Sequence, residues 1–145
     1  MTTLVSKTIE FDAGHRVARH GSKCANPHGH RYAVTLVMEG DVLHDQGEEH
    51  GMVLDFGRLK TFLTEMVHDR YDHGFIVETA DVAMLNALGG HDWKIIPVNF
   101  SPTAEELARR IGLDAIAYFN DEPRLSVHSV GVRETPTSIA TWRPR

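Results

Sequence analysis

Two long segments near the N-terminus alternate apolar and polar residues, and this pattern constrains the fold more than any other feature of the chain. On one face of each segment, a series of apolar side chains leads to a histidine: Val5, Ile9, Phe11, Ala13 and His15 in the first, and Met38, Leu36, Val34, Tyr32 and His30 in the second. Side chains two residues apart point to the same side of a strand. Both segments are therefore predicted to be half-buried β-strands.

The rest of the chain predicts two helices, a small hairpin and a terminal pair of strands. Asp55 caps a first helix that runs to about Asp69 along one apolar stripe beginning at Phe56, and a second helix begins near Thr103. The stretch "TAEE" at its start is a capping box, in which Glu106 reaches back to the amide of Thr103. A small inserted hairpin is expected from "YDHGFIV" and "WKIIPVNF", and the terminal strands from "RLSVHSVGVRE" and "SIATW".

The order of these elements is strand, strand, helix, helix, strand, strand, which is typical of an α+β fold. We expect an antiparallel sheet with both helices on one face, in a single domain that spans residues 1–145. In the last pair of strands, Glu134 closes a face on which His128, Val130 and Val132 are also expected to lie.

Composition excludes several classes of protein. The formal net charge is −5 and no basic stripe is visible, so no nucleic-acid partner is expected. No apolar run approaches the roughly 18 residues that a membrane helix needs, and no secretory signal is recognised at the N-terminus. A cytoplasmic protein with no membrane partner is therefore expected. The single cysteine excludes an internal disulfide.

Three histidines have the spacing of a metal site. His28 and His30 are two residues apart, so their rings point to the same side of the second strand. If the two strands pair antiparallel, the connection between them brings His15 beside both. Three neutral nitrogen donors suit Zn²⁺ best, and three protein ligands leave a fourth position open, as in catalytic zinc sites. The alternative is that histidines at the end of an apolar face are half-buried core residues.

Cys24 lies four residues before His28, in the loop next to the expected metal. Three roles are open to it: a fourth ligand that closes a structural site, a free thiol that acts as a base or nucleophile, or a small buried apolar residue. A nearby dication would favour the thiolate form of a free cysteine. The residues around Cys24 do not resemble a core segment.

Two further positions carry carboxylates of interest. In "YDHG", Asp72 precedes His73, and a carboxylate partner would orient the histidine ring and raise its basicity. Glu134 ends a mostly apolar strand face. There it is either a half-exposed edge residue or an anchor that accepts two parallel hydrogen bonds from a guanidine-like edge.

Taken together, six stretches resemble the family of 6-pyruvoyltetrahydropterin synthase and 6-carboxytetrahydropterin synthase: "FDAGHR", "KCANPHGHRY", "GMVLDFGRLK", "YDH", "SPTAEELA" and "VRETPTS". They occur in order along nearly the whole chain, although each alone would be weak. The resemblance implies the tunnelling fold, in which subunits with two helices and an antiparallel sheet assemble into a barrel. It also implies a homo-oligomer, usually a hexamer of two trimers, with active sites between subunits.

The resemblance also implies roles for the candidate residues around the expected metal. The zinc ligands would be His15, His28 and His30. Cys24 would be the catalytic thiol rather than a fourth ligand. The substrate implied by the family is 7,8-dihydroneopterin triphosphate.

The remaining roles implied by the resemblance fall on residues far from the metal in sequence. His73, with Asp72 as its partner, would be the second proton-transfer group. Glu134 would grip the pterin ring of the substrate. Thr103 falls where the family has a threonine that contacts the pterin, although a helix cap explains this residue equally well.

The family has two products, and the spacing around Cys24 favours one of them. One branch gives 6-pyruvoyltetrahydropterin. The other releases acetaldehyde and triphosphate and gives 6-carboxy-5,6,7,8-tetrahydropterin, on the route to queuosine and related deazapurines. The interval of four residues between Cys24 and His28 resembles the carboxy branch. The nearest positive side chains in sequence for the triphosphate are those of Arg16, Arg19 and Lys23.

The chain also departs from the family, and two other functions stay open. The segment after "YDH" is longer than in compact members and lacks their leucine-asparagine pair, so the mouth of the substrate site is expected to differ. One alternative function is a pterin- or purine-binding oligomer with a purely structural metal. The other is a related tunnelling-fold hydrolase that acts on GTP.

Overall fold

A six-stranded mixed sheet forms the centre of the computed structural model, which describes all residues from 1 to 145. Its strands are β1 (Thr3–His15), β2 (His28–Gly40), β3 (Gly74–Glu78), β4 (Ile95–Val98), β5 (Leu125–Thr135) and β6 (Ser138–Trp142). The order across the sheet is β4-β3-β1-β2-β5-β6. Neighbours among β1, β2, β5 and β6 are antiparallel, whereas β3 is parallel to both β1 and β4.

The helices are α1 (Phe56–Leu63), α2 (Asp69–Tyr71), α3 (Val82–Leu88) and α4 (Ala104–Tyr118), and a π-helical turn over Thr64–His68 joins α1 to α2. The buried side chains of α1 and α4 form one core with the apolar faces of β1, β2 and β5. The predicted α+β layout, with its two main helices, is therefore confirmed. No helix is both long enough and apolar enough to cross a membrane.

The predicted pairing of β1 with β2 is confirmed, and its register brings the histidines together. His15 lies opposite His28, and Ala13 lies opposite His30. One position further along each strand face, Phe11 stacks on Tyr32 with ring centroids 5.1 Å apart. The alternation that buries these aromatic rings also fixes which side of the sheet the histidines occupy, because a shift of one residue would move every side chain to the other face.

The predicted inserted hairpin is wrong. The segments "GFIVE" and "IIPV" form β3 and β4, which run parallel, with α3 on the connection between them. Parallel neighbours need a crossover rather than a tight turn, and the residues that resemble a loop in sequence supply that crossover. The sheet is therefore mixed rather than wholly antiparallel.

Two predictions about element faces and one about a helix cap are corrected. A β-bulge in β5 places Val127 opposite Met38, so His128 leaves the apolar face and lies 3.4 Å from Glu39. Phe56 belongs to the predicted apolar stripe of α1 but is 54% exposed. At the start of α4, the Glu106 carboxylate pairs with Arg109 instead of reaching back to Thr103, so only half of the capping box forms.

Candidate functional site

The three predicted metal ligands lie together at the end of the β1–β2 pair. Each of the histidines His15, His28 and His30 offers one ring nitrogen, and these nitrogens all lie within 4.8 Å of one another. The ring centroids of His15 lie 4.6 Å from His28 and 5.0 Å from His30. Two of the ligands come from one strand face and the third from the paired strand. Strand register alone therefore assembles the cluster.

Backbone carbonyls orient two of the three rings. The Nδ1 atom of His15 lies 2.6 Å from the Pro102 carbonyl, and Nδ1 of His28 lies 2.7 Å from the Asn26 carbonyl. A carbonyl only accepts hydrogen bonds, so each Nδ1 carries the proton and each Nε2 keeps a free lone pair. The Nε2 atom of His15 is buried and has no hydrogen-bond partner. A bound cation would satisfy this orphaned acceptor. The hydrogen bonds from Nδ1 to backbone carbonyls are of the kind that commonly orients metal-ligating histidines.

Burial favours the neutral form of His15 and His30, which metal binding by imidazole requires. Desolvation, opposed by the Pro102 hydrogen bond, lowers the pKa of His15 to about 4. Burial and the nearby His28 lower the pKa of His30 as well. Three neutral nitrogen donors with this geometry suit a borderline divalent cation such as zinc. The residues present therefore fit the metal that the motifs imply.

Cys24 lies beside the histidine cluster without joining it. Its side chain is half-buried, and it lines a cavity of about 630 Å³ that the three histidines also line. Its sulfur is not part of the group of mutually close ligand atoms. This geometry fits a free thiol next to a metal rather than a fourth ligand.

Glu134 lines the same cavity. Its carboxylate oxygens are 3.9 Å from Nε2 of His15 and 4.0 Å from Nε2 of His30. Burial, followed by the negative charge of Glu105, raises the pKa of the Glu134 carboxyl. A register shift between Arg133 and Thr135 leaves Glu134 outside the ladder with β6, and such bulges re-aim a side chain.

Glu105 is a cavity residue that sequence reasoning missed. It follows the helix cap Thr103 by two residues, and acidic side chains are common in the first turn of a helix because they complement the dipole. This general preference hid its position on the wall of the site. Thr103 lines the cavity too, and its hydroxyl accepts a hydrogen bond from the Glu106 amide at 3.3 Å. The cap is thus confirmed, and contact with a ligand stays a prediction.

The three basic residues near the site have different surroundings. Arg16 forms a bidentate ion pair with Asp81, and Arg19 lies 3.3 Å from a carboxylate oxygen of Glu78. Lys23 lines the cavity and forms no ion pair. Among the three, Lys23 alone is a free positive charge at the cavity wall. His20 also lines this cavity.

Asp72 and His73 lie outside this cavity. Their side chains are in direct contact, with 2.7 Å between Asp72 Oδ2 and His73 Nδ1. Hydrogen bonds from the Asp12 amide and from His73 hold the pKa of Asp72 below its usual range. His73 lines a second cavity, of about 440 Å³, with Asp12 and Arg31. His30 lines both cavities, whereas Cys24 lines only the first. The chain therefore does not bring His73 to Cys24.

The backbone at His73 is unusual. Its φ of 57° lies in the left-handed region that favours glycine, and it is the one residue other than glycine with a positive φ. Its amide donates to the Asp12 carbonyl at 2.7 Å, which holds the chain in this conformation. Strained backbone of this kind is concentrated at functional sites, so it supports a functional role for His73.

Known proteins resemble this chain along most of its length. The sequence profile of the family described as 6-pyruvoyl tetrahydropterin synthase matches residues 4–145. The 6-carboxy-5,6,7,8-tetrahydropterin synthase of Haemophilus influenzae is 33% identical over 145 residues, which cover 96% of this chain and 97% of that protein. The protein of the same name from Rickettsia bellii is 32% identical over 132 residues, which cover 90% and 93%.

Solved structures show the same fold at lower sequence identity. An uncharacterised protein of Wolinella succinogenes superposes with a TM-score of 0.86 at 21% identity, covering 100% of this chain and 99% of that chain. The 6-pyruvoyl tetrahydropterin synthase of Caenorhabditis elegans gives a TM-score of 0.70 at 20% identity, covering 100% and 97%. The expected tunnelling fold is thereby confirmed. Because the family profile spans nearly the whole sequence and the relatives match over most of their own length, this chain belongs to the 6-pyruvoyl tetrahydropterin synthase family.

Proposed function

We propose that this chain is a 6-carboxytetrahydropterin synthase. It would convert 7,8-dihydroneopterin triphosphate and one water molecule to 6-carboxy-5,6,7,8-tetrahydropterin, acetaldehyde and triphosphate. The observation that carries this proposal is a single cavity lined by three convergent histidines, the Cys24 thiol and the Glu134 carboxylate. The choice of product is supported by the names of the relatives from Haemophilus influenzae and Rickettsia bellii. It is also supported by the short interval between Cys24 and His28.

Within this proposal, His15, His28 and His30 hold a zinc ion, which would supply stabilisation for negative charge that develops on substrate oxygen. Cys24, on the cavity wall, exchanges a proton with the three-carbon side chain of the substrate. Glu134 accepts the paired N–H groups of the pterin ring, since one carboxylate matches two parallel donors.

Two further cavity residues have roles at the ends of the substrate. Lys23 is the positive side chain that would meet the triphosphate, because Arg16 and Arg19 already have carboxylate partners. Thr103 would contact the pterin with its hydroxyl while its role as a helix cap continues. The proposal includes one domain over residues 1–145 and a cytoplasmic location, which length and composition favour, and a role on the route to queuosine, which the resemblance implies.

His73, oriented by Asp72, would be the second proton-transfer group, supplied to the Cys24 cavity by a neighbouring copy of the chain. The position of the two side chains supports this arrangement, since within one chain Cys24 and His73 line different cavities. The assembly would be a homo-oligomer, as the resemblance implies a hexamer of two trimers with sites between subunits.

Incubation of the zinc-loaded protein with 7,8-dihydroneopterin triphosphate tests the proposal, with products identified by mass spectrometry. We expect acetaldehyde, triphosphate and the 6-carboxy product, with about one zinc per chain. The Cys24→Ala variant should keep its zinc and lose turnover. If that variant lost its zinc, Cys24 would be a ligand and the assignment of the thiol would be wrong.

Other products would support other functions. Formation of 6-pyruvoyltetrahydropterin without acetaldehyde would place the chain in the pyruvoyl branch. Absence of both products, with zinc bound and pterin affinity retained, would favour a pterin-binding oligomer with a structural metal. Consumption of GTP would instead favour the hydrolase.

A further inference from the structure

The loop that carries Cys24 has little apolar burial to hold it. None of the residues from 16 to 27, which connect β1 to β2, is fully buried. Inside the loop, the amide of Val17 donates to the Cys24 carbonyl at 2.8 Å. A segment with few buried apolar contacts opens easily unless polar contacts restrain it. The position of the thiol therefore depends on what anchors this loop.

Arg16 provides such an anchor. Its Nε and Nη2 atoms donate to the two carboxylate oxygens of Asp81 at 2.6 Å and 2.5 Å. Its third nitrogen, Nη1, donates to the carbonyl of Ala25 at 3.4 Å. One guanidinium thus connects the residue next to Cys24 with Asp81, which precedes α3.

Asp81 is itself held in place. It is one of three buried polar residues, with 7% exposure, and it accepts a hydrogen bond from the Met84 amide at 3.2 Å. The Arg16 hydrogen bond holds the pKa of Asp81 below its usual range, so the pair is ionised near neutral pH. Bidentate arginine–carboxylate pairs fix geometry as well as energy. The fork therefore restrains the loop in direction and in distance.

We infer that Arg16 and Asp81 form an anchor that positions the Cys24 thiol in the cavity. The inference rests on the proposed function for the role of Cys24 in turnover. Neither Arg16 nor Asp81 lines the cavity, so both are positioning residues rather than substrate contacts. The segment after "YDH", where the chain departs from compact members of the family, thereby acquires a role: it supplies the carboxylate half of the anchor.

Opposite charge changes separate this role from substrate electrostatics. Arg16→Gln removes a positive charge near the cavity, whereas Asp81→Asn removes a negative one. If the pair acted by attracting the triphosphate, the two substitutions would change KM in opposite directions. An anchor predicts that both lower kcat, with smaller changes in KM, because both break the same fork. The side-chain carbonyl introduced by Asp81→Asn could still accept the Met84 amide hydrogen bond, so this variant keeps the start of α3.

Cys24 offers a readout that does not require turnover. It is the only cysteine in the chain, so the rate of alkylation by iodoacetamide reports on this thiol alone. We expect Arg16→Gln and Asp81→Asn to be alkylated severalfold faster than the parent and to lose roughly 10- to 100-fold in kcat, the cost of a small misplacement of a reacting group. The double variant should lose no more than either single variant, because the two residues act as one unit.

The matched control is Arg19→Gln in the same loop. Arg19 also faces a carboxylate, that of Glu78, but its side chain is 84% exposed. We expect parental alkylation and kcat from this variant, and parental zinc content from all of them. Parental alkylation and kcat in folded Arg16→Gln and Asp81→Asn would overturn the anchor. If the parent made no tetrahydropterin, the proposed function would fail, whereas faster alkylation of the two variants would still support the anchor.

Discussion

The two sets of proposed catalytic groups lie in very different surroundings. The cavity with His15, His28, His30 and Cys24 is walled by paired strands and by the start of α4, and the His15 side chain is 2% exposed. The Asp72–His73 pair lies at an open corner beyond α2, where the His73 side chain is 79% exposed. One chain therefore carries a formed metal cavity and a separate, uncovered histidine.

This difference indicates what the Cys24 cavity and the Asp72–His73 pair each need from another chain. A histidine that exchanges protons with a substrate works best in a site that excludes bulk water, and His73 is not covered by its own chain. The positive φ of His73 and its contact with Asp72 fix the backbone and the ring of this residue within the single chain. Under the proposed function, a second copy of the chain would complete the site, because its His73 would meet the Cys24 cavity of the first copy.

The largest expected effect comes from removing either half. Cys24→Ala and His73→Ala should each lower kcat by roughly 10²- to 10⁴-fold, the usual contribution of a positioned acid or base. Zinc content should stay at the parental level in both, since neither side chain belongs to the histidine cluster. Turnover and metal analysis of the two purified variants provide the measurement. Parental turnover in His73→Ala would mean that His73 takes no part in the mechanism. The Cys24 cavity would then contain all the groups that the reaction needs.

A mixture of these two inactive variants tests whether the halves meet between chains. Cys24→Ala supplies an intact His73, and His73→Ala supplies an intact Cys24 cavity. Random assembly of equal amounts would give about one quarter of the sites both intact groups if every site joins two chains. Co-expression with two affinity tags, followed by turnover measurement on the doubly tagged assembly, would detect this recovery. The control is the assembly formed only from the variant that carries both Cys24→Ala and His73→Ala. If the mixture recovered no turnover, both groups would act within one chain.

The metal cavity could be predicted from the sequence because its histidines lie on two strands that follow one another in the chain. Strand alternation placed the rings of His28 and His30 on one side, and the antiparallel return placed His15 beside them. The family motifs then separated Cys24 from the ligands. Glu105 escaped because an acidic residue in a first helical turn has an ordinary structural explanation.

The corner with His73 could not be placed from the sequence, because its position depends on pairing between distant segments. The residue after His73 begins β3, which joins β1 in parallel at Ala13 and Gly74. Short apolar runs such as "GFIVE" do not reveal whether their neighbours are parallel or antiparallel. The bulge in β5 that turns His128 away from the core likewise follows from pairing with β2, and no residue pattern in the sequence predicts it.

Acid should weaken the metal-free cavity, with a smaller expected effect. Burial lowers the pKa of His15 to about 4, against 6.5 in an unfolded chain. Between these values the unfolded chain binds a proton that the folded chain does not, so folding loses stability as the pH falls from 6.5 to about 4, by about 3 kcal/mol in total. Urea unfolding of chelator-treated protein across this range measures the loss.

The His15→Gln variant is the control for this pH dependence, since glutamine does not titrate. As the pH falls from 6.5 to about 4, the free energy of unfolding of the parent should decrease relative to that of the variant. A difference that stays constant with pH would mean that His15 is as accessible to protons in the folded chain as in the unfolded one. The buried character assigned to the metal cavity would then be wrong.

The smallest expected effect concerns the support beneath His73. Lys94 Nζ donates to the carbonyls of Asp69 and Asp72, both at 2.8 Å, and so holds the end of α2 that leads into the strained residue. Because Lys94 is exposed and such a hydrogen bond contributes about 1 kcal/mol, Lys94→Met should lower kcat by no more than about fivefold. Hydrogen exchange of residues 69–73 should accelerate in Lys94→Met but not in the control Lys60→Met, whose exposed side chain makes no hydrogen bond. A loss of kcat as large as that of His73→Ala would instead indicate that Lys94 contacts the substrate. The open corner would then contribute a charge as well as a base to the neighbouring cavity.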